Sequence, residues 1–166
     1  MRIGVPTEVK VHEYRVGLVP GSVRELVHHG QEVVVQTGAG NGIGFSDEDY
    51  MAAGARIASS AEEVCATADM IVKVKEPQAQ EIAALRENQV LFTYLHLAAD
   101  KAQTEGLLRS GAVCIAYETV TDTRGGLPLL RSLGACLSRL ARTCSKRSRA
   151  AGAFYSAASR AYPRRR

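Results

Sequence analysis

The sequence predicts an α/β protein whose open, mostly parallel sheet is covered by helices on both faces, and three observations lead there. Short strand-like runs alternate with stretches of helical spacing over the first 120 residues, the signature of repeated βαβ units. The strand-like runs are almost wholly apolar, as strands buried on both faces are. With 46% hydrophobic and only 5% aromatic residues over 166 positions, the chain has a globular composition and room for one ordinary domain with its own core.

Arg2–Val5 reads as the first strand and residues 32–35 as the second. Between them, residues 22–29 place Val23, Leu26 and Val27 at helical spacing, with Gly21 and Ser22 as candidate caps and Gly30 as the stop. The unit then repeats. Residues 61–66 are helical, 70–74 a buried strand, 80–85 helical, 90–93 a strand, 104–108 helical and 113–116 a strand. This is a flavodoxin- or Rossmann-like pattern, and in such sheets ligands bind beyond the carboxyl ends of the strands. The residues just after each strand are therefore the candidates for a site.

Bulk features exclude several functions. The longest apolar runs fall far below the ~20 residues a membrane helix needs, and the opening Met1-Arg2-Ile3-Gly4-Val5-Pro6 enters a strand at once without a secretory leader pattern. The expected compartment is the cytosol. Cys65, Cys114, Cys136 and Cys144 show no metal-ligand spacing, so no metal is expected. The net charge of +4 suggests nucleic acid until its distribution is read. Residues 131–166 hold ten Lys/Arg and no Asp/Glu; 21 less 10 leaves 11 basic against 17 acidic residues, a net −6, in residues 1–130. The body is acidic, and only a tail is basic.

The run Gly38-Ala39-Gly40-Asn41-Gly42-Ile43-Gly44 follows a strand but fails the dinucleotide spacing, which would need glycine at Ile43 or Phe45. It ends in the acidic helix start Ser46-Asp47-Glu48-Asp49, which would repel a pyrophosphate. A structural loop is the better reading. Arg15, Lys75 and His96 each follow, or end, a different strand. An Arg and a Lys converging in a cleft suit a carboxylate, and a histidine titrating near neutrality moves protons. Each also has a plain explanation: Arg15 as a surface charge, Lys75 paired with Glu76, His96 satisfied in the core.

The words at these positions carry a resemblance. Val5-Pro6-Thr7-Glu8 through Glu13-Tyr14-Arg15-Val16, then Thr37-Gly38-Ala39-Gly40, Val72-Lys73-Val74-Lys75-Glu76-Pro77, Thr93-Tyr94-Leu95-His96-Leu97-Ala98 and Ala116-Tyr117-Glu118-Thr119-Val120 resemble, in order and spacing, the substrate-binding N-terminal domain of NAD-dependent alanine dehydrogenases. The related transhydrogenase subunits share the fold and the opening motif. The resemblance covers residues 1–130. It implies reversible oxidative deamination of L-alanine to pyruvate and ammonia with NAD. Arg15 and Lys75 would hold the substrate's carboxylate and carbonyl, His96 would act as general acid and base, and Tyr94 and Glu118 would shape the pocket. It also implies a homo-hexamer and a separate dinucleotide-binding domain that these residues lack.

After Leu130 the sequence departs from the family. Residues 131–166 are rich in Arg, Ser and Ala, as a GC-rich gene becomes when read out of frame. Recoded at one constant offset, residues 131–148 and 152–162 yield the apolar and glycine-containing strings expected of the family, so the tail is expected to be frameshifted and largely disordered. An isolated chain of this kind is expected to lack dehydrogenase activity, to bind NAD at best weakly and to be prone to aggregate. Two other readings remain open here, a stand-alone pyruvate- or alanine-binding module and a basic-tailed nucleic-acid-binding protein.

Overall fold

The computed structural model describes residues 1–129. Their strands are β1 (Arg2–Val5), β2 (Glu32–Gln36), β3 (Arg56–Ala58), β4 (Met70–Val72), β5 (Val90–Thr93) and β6 (Val113–Ala116). All pair in parallel in one sheet of order β3-β2-β1-β4-β5-β6, so the chain reverses its direction of winding between β1 and β4. The tail read at residues 131–166 lies outside the described residues.

Strand periodicity sorts the core into two halves. Ile3, Val5, Val33, Val35, Met70, Val72, Val90 and Phe92 face one side, where α1 (Pro20–His28) brings Val23 and Leu26 and α2 (Asp47–Ala52) brings Tyr50. Val34, Ile71 and Leu91 face the other, against Val64 and Cys65 of α3 (Ala61–Thr67), Ile82 of α4 (Ala79–Ala83) and Leu107 of α5 (Lys101–Ser110). Each fully buried Val, Leu or Ile contributes ~1.5–3 kcal/mol. Gly4 turns to the α3 side, where a Cβ would stand 2.6 Å from Val64 Cγ1 and 2.7 Å from Ala68 Cβ. Glycine in β1 is thus what lets α3 lie directly on the strand.

Element ends differ from the sequence reading for identifiable reasons. Helix α1 starts at Pro20 with Val19 as its N-cap, so Gly21 and Ser22 lie inside it rather than capping it. Proline's missing N–H costs nothing at a first helical position, and its fixed φ already suits the helix. Gly30, at φ 73°, stops the chain as expected. Helix α5 begins at Lys101 because the Asp100 side chain accepts from the Gln103 N–H at 2.9 Å. Strand β3 is only three residues long and has too little pattern to read.

Strand β4 ends at Val72 rather than residue 74, and the cause is Glu8. One carboxylate oxygen of Glu8 accepts the Val74 N–H at 2.7 Å, and the other accepts the Lys75 N–H at 3.3 Å. The chain after β4 is thereby drawn toward the turn after β1. Lys73 Nζ meets Glu8 at 3.2 Å and Glu81 of α4 at 2.6 Å, with the Lys73 and Glu8 side chains each 2% exposed. Burial pushes the Glu8 carboxyl above its ordinary value of 4.5, against the opposing pull of Lys73 and the Val74 N–H.

Removing the cation from this cluster leaves two acids together in a dry site. Lys73→Met is expected to destabilise the fold by about 3–5 kcal/mol, read as a lower urea midpoint. An unchanged midpoint would show that the cluster does not hold the strand ends together.

Candidate active site

The carboxyl ends of β1, β4, β5 and β6 open on one side of the sheet, and the loops that leave them build one mouth. Lys75 is fixed there through its backbone. Its N–H is held by Glu8, its carbonyl accepts the Thr93 hydroxyl at 2.7 Å, and the preceding Val74 carbonyl accepts the buried Tyr117 hydroxyl. The Lys75 side chain extends over the Tyr94 ring, Nζ 5.8 Å from its centroid, close enough for a cation–π attraction. It does not pair with Glu76, which instead takes Lys10 at 2.7 Å.

The Tyr94 ring lies 5.6 Å from the His96 ring and 6.0 Å from that of Tyr117. His96 is exposed, not a core histidine. Its backbone is left-handed, at φ 48°, an uncommon conformation for a residue other than glycine. Glu118 supports it. One oxygen of that carboxylate accepts the N–H groups of both Leu95 and His96, at 3.1 and 3.0 Å, while the other is buried without a partner among the described residues. Glu118 thus acts on the backbone that carries His96.

Arg15 stands in the long loop after β1, bound by Glu13 through Nε at 2.7 Å and through Nη2. This contact holds the Glu13 carboxyl below its ordinary 4.5 and raises Arg15. Lys75 also pulls Glu13 down, and Arg15 opposes the upward push of burial on the Tyr117 hydroxyl. Lys75, Tyr94 and His96 therefore form one contiguous set, Glu118 supports it from beneath, and Arg15 joins it through Glu13. Glu8, Glu13, Lys73, Thr93 and Tyr117 were not singled out from sequence. A lysine inside an otherwise apolar run was the available signal for the first contact, since buried lysines need a carboxylate.

The glycine loop supports this mouth. A Cβ at Gly42 would stand 2.6 Å from the Tyr14 carbonyl oxygen, so only glycine lets the loop pack against the backbone between Glu13 and Arg15. NAD phosphates do not fit in either place where a fold of this type would hold them. At the turn after β1, the Thr7 N–H already donates to the Gln36 side chain at 2.9 Å and the Glu8 carboxylate stands beside it; in the glycine loop, Asp47 takes the Gly38 N–H at 2.8 Å and the Thr37 hydroxyl at 2.6 Å. Among the described residues no three His, Cys, Asp or Glu side chains gather as a metal site, and no helix is long and apolar enough to cross a membrane.

A doubly wound parallel sheet with a cationic, histidine-bearing mouth at its strand ends defines a Rossmann-like α/β domain. The comparisons narrow the class. The profile of the alanine dehydrogenase/PNT N-terminal domain matches residues 4–136, and the chain belongs to that family. It is 55% identical over 141 residues to an alanine dehydrogenase of Halomonas elongata and 50% identical to one of Mycobacterium tuberculosis, each match covering 85% of this chain and 38% of the relative. Among solved structures, an L-alanine dehydrogenase superposes with a TM-score of 0.79 at 49% identity, covering 84% of this chain and 38% of that one. A transhydrogenase from Sinorhizobium meliloti superposes with a TM-score of 0.69 at 32% identity, covering 75% of this chain and 37% of that one. The chain thus spans a little over a third of the length of these relatives.

The Arg15–Glu13 contact sets a pH dependence. Because the folded Glu13 carboxyl titrates below 4.5, its contribution is complete above that value and is lost as pH falls through the lower folded value. Carbon-detected NMR of the glutamate carboxyls should show Glu13 titrating below the ordinary value of 4.5; titration at that value would mean that the pair does not persist in solution.

Proposed function

We propose that this chain forms the substrate half of an alanine dehydrogenase-type oxidoreductase, which converts L-alanine, NAD and water to pyruvate, ammonia and NADH. The observation that carries this reading is the set of Lys75, Tyr94 and His96 at the ends of β4 and β5, beside Arg15, in a member of this family. The substrate carboxylate takes Arg15 and Lys75, a planar fork and a point charge suited to one anion. Tyr94 forms the apolar wall beneath it and keeps Lys75 extended. His96, exposed at the rim, gives or accepts the proton at the substrate's carbonyl or carbinolamine oxygen as ammonia adds or leaves.

Glu118 serves this step by holding the His96 backbone, so that the ring stands where the proton must move. NAD, the hydride acceptor of this chemistry, belongs on a dinucleotide-binding domain beyond the described residues. The same reading places the complete enzyme in the cytosol as a homo-hexamer; a full-length version that sediments as a monomer would count against the assembly.

The isolated chain should bind pyruvate and form no NADH from alanine and NAD. A charged hydrogen bond contributes ~1.5–3 kcal/mol, so Lys75→Ala should weaken pyruvate binding by about ten- to a hundred-fold, measured by calorimetry. Undiminished binding would move the carboxylate site elsewhere, and NADH formation by the pure chain would show that a second domain is not needed.

A further inference from the structure

A guanidinium has two edges that can each hold a carboxylate, one made by Nε and Nη2 and the other by Nη1 and Nη2. Glu13 uses the first, accepting from Nε at 2.7 Å and from Nη2, and the same oxygen that meets Nε also accepts the Arg15 backbone N–H at 3.0 Å. The carboxylate is itself well fixed. Its side chain is 7% exposed, against 28% for Arg15, and the Glu13 N–H donates to the Lys10 carbonyl at 3.1 Å. Gly42 packs on the Tyr14 carbonyl from behind, so the three-residue segment that carries both charges has little room to shift.

We propose that Glu13 is a positioning residue: it clamps Arg15 side-on and aims the opposite Nη1/Nη2 edge at the substrate carboxylate. The proposal rests on the carboxylate role given to Arg15 above and deepens it. Glu13 does not occupy the edge a substrate needs, so substrate and Glu13 bind Arg15 together rather than in competition. A free arginine side chain loses rotamer entropy when it is captured, and a side chain already clamped loses less. Glu13 also offsets one of the two positive charges at the mouth. Arg15 and Lys75 then present a net single charge, which suits a monocarboxylate.

The test uses the 166-residue chain labelled with nitrogen-15 at arginine, with pyruvate as the probe. In the parent chain, pyruvate should shift the Arg15 Nη resonances and leave the hydrogen-bonded Nε–H in place. Glu13→Gln, which turns an amide NH₂ toward the guanidinium donors, should weaken pyruvate binding by about tenfold or more, the equivalent of ~1.4 kcal/mol. In an Arg15→Lys background the same change should have little further effect, because Glu13 acts through Arg15. Equal or tighter binding by Glu13→Gln would show competition and overturn the proposal alone. An undiminished loss in the Arg15→Lys background would show a general structural role and also overturn it. If the parent chain binds no pyruvate at all, the carboxylate site fails and this proposal falls with it.

Discussion

The buried contact between Glu8 and Lys73 is the constraint on which the geometry of the mouth depends. Glu8 follows β1 and Lys73 follows β4, the two central strands between which the winding direction changes. Joining them ties the loop after β1 to the chain after β4, from which Lys75 projects. The net electrostatic gain is small, since burial alone pushes Glu8 toward its neutral form. What the contact supplies is geometry. With Lys73 neutralising it, Glu8 stays a pure acceptor and can hold two successive N–H groups, Val74 and Lys75. Thr93 and Tyr117 then take the carbonyls of those same residues. Four hydrogen bonds from three side chains, Glu8, Thr93 and Tyr117, thus fix the backbone of Val74 and Lys75, and Lys75 projects from a backbone with nowhere to move.

The same logic recurs at His96. There Glu118 holds two successive N–H groups and supports a left-handed residue that would otherwise be costly to maintain. In both places a carboxylate near the mouth acts on backbone and leaves the cation or imidazole beside it to face outward. Acidic residues here organise the cationic mouth without cancelling it, because their charge is spent on amides, on Lys73 or on Arg15.

How much of this was legible in the sequence depended on whether the signal was local. Strands β1, β5 and β6 match the run boundaries because their apolar patterns are uninterrupted and their ends are punctuated by polar residues. Strand β4 was read two residues too long because its end is set by Glu8, some 65 residues away in sequence, and no local pattern announces that. Arg15, Lys75 and His96 stand out in the sequence because strand ends in a parallel sheet converge, whereas Tyr94 enters only through the family resemblance. Glu13 was passed over because a Glu two residues before an Arg is an ordinary surface pairing in sequence, and only its burial and side-on geometry distinguish it. The failed spacing of the glycine loop points to a structural role, and its packing against Tyr14 is a contact that no local pattern announces.

The two positions at which a doubly wound sheet ordinarily takes phosphate are arranged differently here. Phosphate is held by unpaired N–H groups at the first crossover turn or at a glycine-rich loop opening a helix. Here the Thr7 N–H of the first turn donates to Gln36 beside the Glu8 carboxylate, and Asp47 receives the Gly38 N–H of the glycine loop. An amide that already donates to an internal side chain has nothing left for a pyrophosphate, and the carboxylate adds repulsion. The occupancy is not incidental to the rest of the site. Glu8 is the residue that sets Lys75, and the loop tied by Asp47 is the loop that backs Arg15. The acidic side chains at both places thus help hold Lys75 and the Arg15 segment in position, which supports the proposed reading of this domain as a carboxylate-binding half whose NAD is held elsewhere.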